Sequence, residues 1–185
     1  MLVDIYPLTQ LDPDDLHRLI TGYTSLAYYR VHTTETDEAA VFTLELIPFE
    51  TPYVKQYPPL DEETLHRYDE AARLGFSLGA YDGGQLVSIA LAERLTWNNS
   101  LSLLEFHVAP DYRGRGVGRR MIEELALRSH EAGLRVIVCE TQNTNVPAIR
   151  FYRKAGFKLD GMRLSYYRNS IDPSGEFALF MTRVV

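Results

Sequence analysis

The segment Val108–Arg120, VAPDYRGRGVGRR, concentrates residues that could bind an anion. Glycines alternate with arginines there, at the start of a predicted helix. The first turn of a helix carries backbone N–H groups without intrahelical partners and the positive end of the helix dipole. Glycines let a phosphate approach these amides, and guanidinium groups suit its oxygens. The segment therefore predicts a pyrophosphate site, formed by Arg113, Gly114, Arg115, Gly116, Val117, Gly118 and Arg119.

The spacing of these glycines differs from two common phosphate-binding loops. A Walker loop requires Gly-Lys-Ser/Thr, and the chain has no such run. A dinucleotide-binding loop requires G-x-G-x-x-G, whereas Gly114, Gly116 and Gly118 are spaced G-x-G-x-G. The loop alone also leaves open a glycine-rich turn whose arginines are only solvated surface charges.

The strand just before this loop, LSLLEFHVAP, holds two candidate bases. Glu105 lies among apolar residues, where an unpaired charge would be costly to bury. It is therefore either a functional carboxylate or the partner of an arginine in a salt bridge. His107, two residues along, faces the same side of the strand and titrates near neutral pH. It is the second candidate base, and a hydrogen-bonded structural histidine is the alternative.

The elements that must position these residues follow from hydrophobic pattern and turn residues. Asp12 and Asp61 are the expected N-caps of two helices, and Asn98-Asn99 is expected to turn the chain. Strands are predicted at Leu2–Pro7, over 25–32 and 40–49, in a hairpin over 76–95, and at 100–110, 135–142, from Phe157, and 176–185. Helices are predicted from Pro13 to near Gly22, and over 60–75, 114–132 and 146–155.

This order predicts an α/β fold with a mixed sheet, because strand–helix–strand–helix–strand segments with short loops require crossover connections. At 185 residues and without a linker rich in Pro, Gly or Ser, the chain is predicted to form one domain, 1–185.

Composition limits the function classes. No apolar run reaches the roughly 18 residues of a membrane span, and the first residues lack a signal-peptide pattern, so a cytoplasmic protein without membrane contact is expected. Cys139 is the only cysteine, which excludes an internal disulfide and argues against a cysteine zinc site; we expect an inert core thiol there, and no metal.

The formal net charge of −6 hides an uneven distribution: 16 acidic and 6 basic residues up to Asn99, and 9 acidic and 13 basic residues after it. Such halves can mark a protein that holds an anion with one part and a cation with the other, or they can be solvated surface charge. Without a dominant basic stripe, nucleic-acid binding is not expected.

Two motifs together resemble the GNAT superfamily of N-acetyltransferases. Arg113–Gly118 matches its acyl-CoA signature Q/R-x-x-G-x-G/A, and NVPAIRFYRKAGF, Asn145–Phe157, resembles its second motif. The resemblance implies a GNAT-like acyl-CoA N-acyltransferase fold, with a central mixed, mostly antiparallel sheet flanked by helices. It also implies that 1–99 form mainly the acceptor side, 100–160 the acetyl-CoA core and 161–185 the closing strands.

The resemblance further implies direct transfer of an acetyl group from acetyl-CoA to an amine in a ternary complex. The pyrophosphate of the co-substrate would lie on Arg113–Arg119, and its pantetheine arm would run beside Phe106 and Val108. Asn145 would hydrogen-bond the pantetheine or cap the following helix, and both alternatives stay open.

The catalytic roles are likewise implied by position within the family pattern. Glu105 matches the site of a carboxylate base that works through water, and the backbone N–H of Val108 would polarise the thioester carbonyl. Tyr152 matches the residue that protonates the sulfur, with a core aromatic as the alternative.

Longer segments are similar to streptothricin acetyltransferases, which modify antibiotics: ETQNTNVPAIRFYRKAGFKL, IPFETPYVKQYP and EFALF. This likeness implies a small cationic amine acceptor such as streptothricin, which the acidic first half would suit. The candidate acceptor contacts are Tyr28, Tyr29, Tyr53, Trp97 and, at a strand end, Glu140. A lysine or N-terminal acetyltransferase acting on proteins, or a CoA-binding sensor without turnover, is the alternative. A homodimer is compatible with such folds.

Overall fold

The computed structural model describes residues 3–167 and 175–185. In this part of the chain the helices are α1 Pro13–Leu19, α2 Glu62–Arg73, α3 Val117–Glu131 and α4 Val146–Lys154. The strands are β1 Asp4–Pro7, β2 Gly22–Glu35, β3 Ala40–Gln56, β4 Leu78–Asp82, β5 Gln85–Leu95, β6 Ser100–Val108, β7 Val136–Gln142, β8 Lys158–Arg163 and β9 Ala178–Val184. The chain divides into two compact units: Met1–Thr21, Tyr57–Cys139 and Thr182–Val185 in the first, and Gly22–Gln56 and Glu140–Met181 in the second.

The first unit is built on strands in the order β1-β4-β5-β6-β7. The pairs β1–β4, β4–β5 and β5–β6 are antiparallel, and β6–β7 is parallel. Parallel neighbours need a crossover connection, which α3 provides between β6 and β7. The sheet is therefore mixed and, over these pairs, mostly antiparallel, as the sequence predicts.

The core of this unit forms where α1 and α2 cover the sheet. Helix α3 buries three side chains completely, Met121, Ile122 and Leu125. A separate buried cluster joins apolar side chains of α1, α2 and β5 with Leu8 and Ile20. Its buried members are Leu8, Leu16, Leu19, Ile20, Tyr68, Leu86, Ile89 and Leu91. Burying this apolar surface is the main stabilising contribution that holds the helices on the sheet.

The second unit contains the hairpin β2–β3, α4, β8 and parts of β7 and β9. The hairpin register runs from Gly22 opposite Gln56 to Glu35 opposite Ala40, with a bulge near Ser25. Tyr29 and Asn143 tie β2 to the residue after β7: the Tyr29 N–H donates to the Asn143 carbonyl (3.0 Å), and Asn143 Nδ2 donates to the Tyr29 carbonyl (2.9 Å). These two hydrogen bonds thus anchor the hairpin, because an isolated two-stranded hairpin is only marginally stable.

The structure confirms the predicted fold class and most elements, and it moves several boundaries. The helix expected from Gly114 begins at Val117, because Gly114 and Gly116 have left-handed φ values of 72° and 83°. The helix expected to fade near Gly22 ends at Leu19, and both hairpin strands are longer than expected. Of the predicted first strand, Leu2 lies outside the described residues, as do residues 168–174 of the predicted closing region.

Candidate active site

The glycine–arginine loop precedes α3 in the first unit. One turn of 3-10 helix, Pro110–Tyr112, leads into it, and Gly116 is the N-cap of α3. An added Cβ at Gly114 or Gly116 would meet no atom within 4 Å, so the glycines are required by their positive φ rather than by crowding within the chain. Val117 and Gly118 are buried in the first turn of α3.

The N-terminus of α3 differs from those of the other helices in the described residues. No side chain caps it, and two exposed arginines, Arg119 and Arg120, lie there; its first turn lacks acidic residues, as does that of α4. The other helices have side-chain caps, from Asp12 on α1, Asp61 on α2 and Asn145 on α4. The arginines add their charge to the positive end of the helix dipole, so this end is electropositive and suited to a polyanion.

The remaining predicted anion ligands extend this positive surface. Arg113 is exposed, and its Nε donates to the Val108 carbonyl at 2.9 Å, which fixes the loop to the end of β6. Arg115 is also exposed. The loop therefore combines the donors that a pyrophosphate requires, and the residues present fit the phosphates of coenzyme A.

Strand β6 changes its pairing halfway along its length. With β7 its register covers only Ser100–Leu103, whereas with β5 it continues to Val108. Leu91 of β5 pairs with Glu105 and Ala92 with Leu103, so Leu104 is an extra residue in a bulge. Bulges of this kind are frequent next to active sites because they re-aim side chains. Phe106 and Val108, predicted to bind the pantetheine arm, lie in the segment after this bulge.

Glu105 and His107 are brought together on β6, as predicted from strand alternation. His107 Nε2 lies 2.7 Å from Glu105 Oε2, and the Tyr68 hydroxyl on α2 donates to Glu105 Oε1. The ring of Tyr57 meets His107 edge-on, with centroids 6.4 Å apart. The side chains of Glu105 and His107 are 23% and 13% exposed. The sequence left open an arginine as the partner of Glu105; the structure shows a histidine and a tyrosine instead.

Tyr68 is the functional candidate that sequence reasoning missed. Burial, and then the charge of Glu105, raises the pKa of Tyr68 well above its ordinary value of 10.0. Its hydroxyl is therefore a donor at neutral pH. No local pattern indicates this role, because Tyr68 occupies an apolar position of an amphipathic helix and meets Glu105 only through the tertiary fold.

In the second unit, Asn145 and Tyr152 both belong to α4. The Asn145 side chain accepts from the N–H of Ala148 at 3.2 Å, so its capping role is observed. Tyr152 is buried, with its ring next to Phe151 and Phe157 at centroid distances of 5.4 and 5.3 Å. Its packing is that of a core aromatic, and its proposed proton-donor role stays a prediction.

The predicted acceptor residues of the second unit lie in three separate environments. Tyr28 and Tyr53 flank Phe49 on the hairpin, with centroid distances of 4.8 and 5.2 Å. The Tyr29 hydroxyl accepts from Arg153, whose guanidinium also lies 5.4 Å from the ring centroid. Glu140, at the end of β7, accepts a hydrogen bond from Tyr167.

Trp97 and Cys139 both belong to the first unit. Trp97, in the first unit, lies in the turn between β5 and β6 and is 83% exposed. Cys139 is buried, as expected of a core thiol. Within the described residues, no group of three or more His, Cys, Asp or Glu side chains could hold a metal ion, and no helix is long and apolar enough to cross a membrane.

Sequence reasoning also missed a buried carboxylate in the second unit. Glu176 is 3% exposed and forms an ion pair with Lys55. Its Oε1 accepts from Thr144 at 3.0 Å and from Tyr23 and Tyr53, both at 3.3 Å. These donors satisfy a charge that would otherwise be costly to bury.

The first unit also has an open cavity of about 570 Å³ between α1 and α2, apart from the predicted residues. Its lining includes Leu16 and Leu65 together with His66, Asp69 and Arg73. None of the predicted site residues contributes to it.

The mixed sheet, its crossover helix and the electropositive loop before α3 are features expected of an acyl-CoA-dependent transferase. The model of the acetyltransferase (GNAT) family matches residues 39–157. Because this match covers well over half of the chain, the chain belongs to the GNAT acetyltransferase family. It is an acetyl-CoA-dependent N-acetyltransferase.

The chain is also similar to individual acetyltransferases. The streptothricin acetyltransferase of Streptomyces lavendulae is 29% identical over 175 residues, which cover 92% of this chain and 89% of the relative. The crystal structure of a nourseothricin acetyltransferase is 28% identical, covers 100% of this chain and 99% of that chain, and has a TM-score of 0.75. A structure from Bacillus anthracis str. Ames in complex with acetyl coenzyme A covers 100% of both chains with a TM-score of 0.73; at 24% identity it shows the fold alone.

Proposed function

We propose that this enzyme acetylates a primary amine of a small cationic acceptor of the streptothricin type, with acetyl-CoA and acceptor bound at the same time. The likeness to the streptothricin acetyltransferase of Streptomyces lavendulae carries the proposal. It covers 92% of this chain, so it must include most of the hairpin β2–β3, which lies on the predicted acceptor side of the chain. A likeness confined to the CoA-binding core would support acetyl transfer without pointing to an acceptor.

The charge of the hairpin supports a cationic acceptor. Its two strands and their turn carry five exposed acidic side chains against one arginine and one lysine. The acidic residues are Glu35, Asp37, Glu38, Glu45 and Glu50. Tyr28, Phe49 and Tyr53 form an aromatic row in the same unit, and aromatic faces attract ammonium groups. These features support Tyr28, Tyr29 and Tyr53 as candidate acceptor contacts, whereas Glu140 in β7 and Trp97, in the turn at the other end of β6 from Val108, are proposed from the sequence alone.

For the co-substrate, the loop before α3 would hold the pyrophosphate, through backbone amides and the guanidinium groups of Arg113, Arg115 and Arg119. The segment of β6 that includes Phe106 and Val108 would pair with the amides of the pantetheine arm, as an added strand would. Asn145, besides capping α4, would hydrogen-bond the same arm. Acetyl-CoA supplies an acetyl group already activated as a thioester.

The chain must then handle protons and a developing negative charge. An aliphatic ammonium group has a pKa near 10, so a base must remove its proton at neutral pH. Glu105 and His107 are the proposed basic pair. The backbone N–H of Val108 would stabilise the charge that develops on the thioester oxygen, and the Tyr152 hydroxyl would protonate the departing sulfur.

Acceptor choice is tested by supplying acetyl-CoA with streptothricin, a polyamine, an aminoglycoside, a lysine peptide and a peptide with a free N-terminal alanine. Release of the CoA thiol gives kcat/KM, and mass spectrometry counts the acetyl groups on each acceptor. We expect streptothricin to exceed both peptides by about 10²-fold or more, because a site that pairs with several amines rejects acceptors lacking them. Faster turnover of a peptide would contradict the proposed acceptor, and tight CoA binding without any turnover would favour a sensor.

A further inference from the structure

Glu105 and His107 are joined by a hydrogen bond, so they act as a coupled pair rather than as two independent bases. They lie two residues apart on β6, on the same face, immediately after the bulge at Leu104. The 2.7 Å contact joins Glu105 Oε2 to His107 Nε2. Both side chains are mostly buried, so water competes weakly for this hydrogen bond.

The carboxylate determines which nitrogen of His107 carries the proton. An ionised carboxylate only accepts hydrogen bonds, so Nε2 must be the donor. In the neutral ring the lone pair then lies on Nδ1. Within residues 3–167 and 175–185, Nδ1 makes no hydrogen bond, so this lone pair is not engaged by the protein.

Tyr68 binds the second oxygen of the Glu105 carboxylate. Its hydroxyl, on α2, donates to Glu105 Oε1, so each carboxylate oxygen accepts one hydrogen bond. Tyr68 is buried and its raised pKa keeps it protonated at neutral pH. Among residues 3–167 and 175–185, the further titratable or charged groups with contacts to this cluster are Arg67, over the Tyr68 ring at 5.4 Å, and Tyr57, edge-on to His107.

We propose that His107 Nδ1 is the atom that takes the proton of the acceptor ammonium group, that Glu105 orients and stabilises the resulting imidazolium, and that Tyr68 is a positioning residue for Glu105. The proposal rests on the proposed acetyl transfer. An ammonium N–H bond breaks, its proton moves to Nδ1, and the electron pair left on nitrogen forms the N–C bond. The pair of the C–S bond leaves with sulfur, which takes the proton of the Tyr152 hydroxyl. A second nitrogen proton restores that hydroxyl, and the proton on Nδ1 passes to water.

The first test is the pH profile of kcat/KM for streptothricin, with saturating acetyl-CoA. We expect His107→Gln to lose the acidic limb and about 10²-fold in kcat. Glu105→Gln presents an amide N–H to the ring, which forces the proton onto Nδ1, so a similar loss is expected. His66→Gln, which removes an exposed histidine paired with Glu70 on α2, is the matched control and should leave the profile unchanged.

Tyr68→Phe separates positioning from simple packing. Removing one donor leaves more negative charge on Glu105, which stabilises the imidazolium and moves the midpoint of the acidic limb to higher pH. We expect kcat to fall about 3- to 10-fold, as for a lost hydrogen bond, with KM within about twofold. An unchanged midpoint would contradict the positioning role, and retention of the limb in His107→Gln with its loss in Glu105→Gln would make the carboxylate the base.

A second measurement does not depend on turnover. The ¹⁵N chemical shifts of the His107 ring, assigned by comparison with His107→Gln, report its tautomer. We expect the neutral ring to carry its proton on Nε2 in the wild type and on Nδ1 in Glu105→Gln. A wild-type proton on Nδ1 would overturn the proposal even if acetyl transfer is confirmed. Absence of turnover with every amine, together with the expected tautomer, would instead locate the failure in the proposed function.

Discussion

Tyr68 holds its proton because its hydroxyl is buried and lies against a carboxylate. In the folded chain its pKa is raised well above 10.0, whereas in the unfolded chain it titrates near 10. Above pH 10 the unfolded state therefore binds fewer protons than the folded state, and the free energy of unfolding falls as pH rises. Below pH 10 both states keep the proton and Tyr68 contributes no pH dependence.

Tyr68→Phe is expected to flatten this alkaline loss of stability. The substitution removes at most about 1.4 kcal/mol of the fall in the free energy of unfolding per pH unit above 10. Urea unfolding at pH 8.5 and about pH 11 can resolve this difference. Tyr6→Phe changes an exposed tyrosine and serves as the control. If wild type and Tyr68→Phe lose the same free energy over this range, Tyr68 does not keep its proton as the structure indicates.

Glu176 raises a different question, because its charge is buried without a direct part in the proposed chemistry. Lys55→Met would remove the lysine partner of the buried carboxylate, and breaking a buried pair costs about 3–5 kcal/mol. Lys55 keeps some contact with solvent, so we expect about 2–3 kcal/mol in urea unfolding. Lys158→Met, at an exposed lysine, should cost less than about 0.5 kcal/mol.

The double variant Lys55→Met with Glu176→Gln checks the cause of that cost. If the unpaired charge is responsible, neutralising Glu176 should recover part of the loss, and the double variant should cost less than the two single changes together. Additive costs would show that the methionine is simply a poor fit at position 55.

At the residue level, the sequence allowed half of the Glu105 cluster to be predicted. Strand alternation placed Glu105 and His107 on one face, and the structure confirms it. Because an unpaired buried charge costs free energy, the sequence also indicated that Glu105 either functions or has a charged partner. Tyr68 was not predictable, because it is 37 residues away in sequence and its helix pattern marks it only as an apolar position.

Among the elements, α3 is the one whose start departs from simple helix rules. The N-cap glycine, Gly116, has φ of 83°, and a residue with a Cβ in this region costs about 1–2 kcal/mol. Because an added Cβ would meet no atom within 4 Å, backbone strain is the whole expected cost of Gly116→Ala. Gly161→Ala, where the added Cβ also meets nothing and φ is not positive, is the matched control.

We therefore expect Gly116→Ala to lower the free energy of unfolding by about 1–2 kcal/mol and Gly161→Ala by less than about 0.5 kcal/mol. If the loop also binds the pyrophosphate, Gly116→Ala should weaken CoA binding, measured by calorimetry, while Gly161→Ala should not. Equal stability of the two variants would contradict the strained conformation, and equal CoA affinity would separate the loop from the co-substrate.

Helix caps were predictable from local sequence, whereas several ends of helices and strands were not. The caps Asp12 and Asp61 were expected and are observed, because an acidic or polar residue before an apolar helical pattern is a short-range signal. The start of α3 was placed three residues early, since the number of glycines does not reveal which of them adopt positive φ. Both hairpin strands continue into polar residues, where cross-strand pairing rather than hydrophobic alternation extends them.

For the whole molecule, the remaining question is whether the two compact units unfold together. β7 passes from the first unit to the second after Cys139, and β9 passes from the second to the first after Met181. A strand that loses its pairing in one unit loses rigidity in the other, so we predict a single cooperative domain, 1–185.

Hydrogen exchange in increasing urea, followed by mass spectrometry, tests this prediction. Peptides from β5 in the first unit and from the middle of β2 around Tyr29 in the second are the informative probes. We expect the slowest amides of both to lose protection with the same midpoint and the same dependence on urea, because one global opening exposes them. A lower midpoint for either unit, with the other still protected, would show that the chain folds as two separable domains.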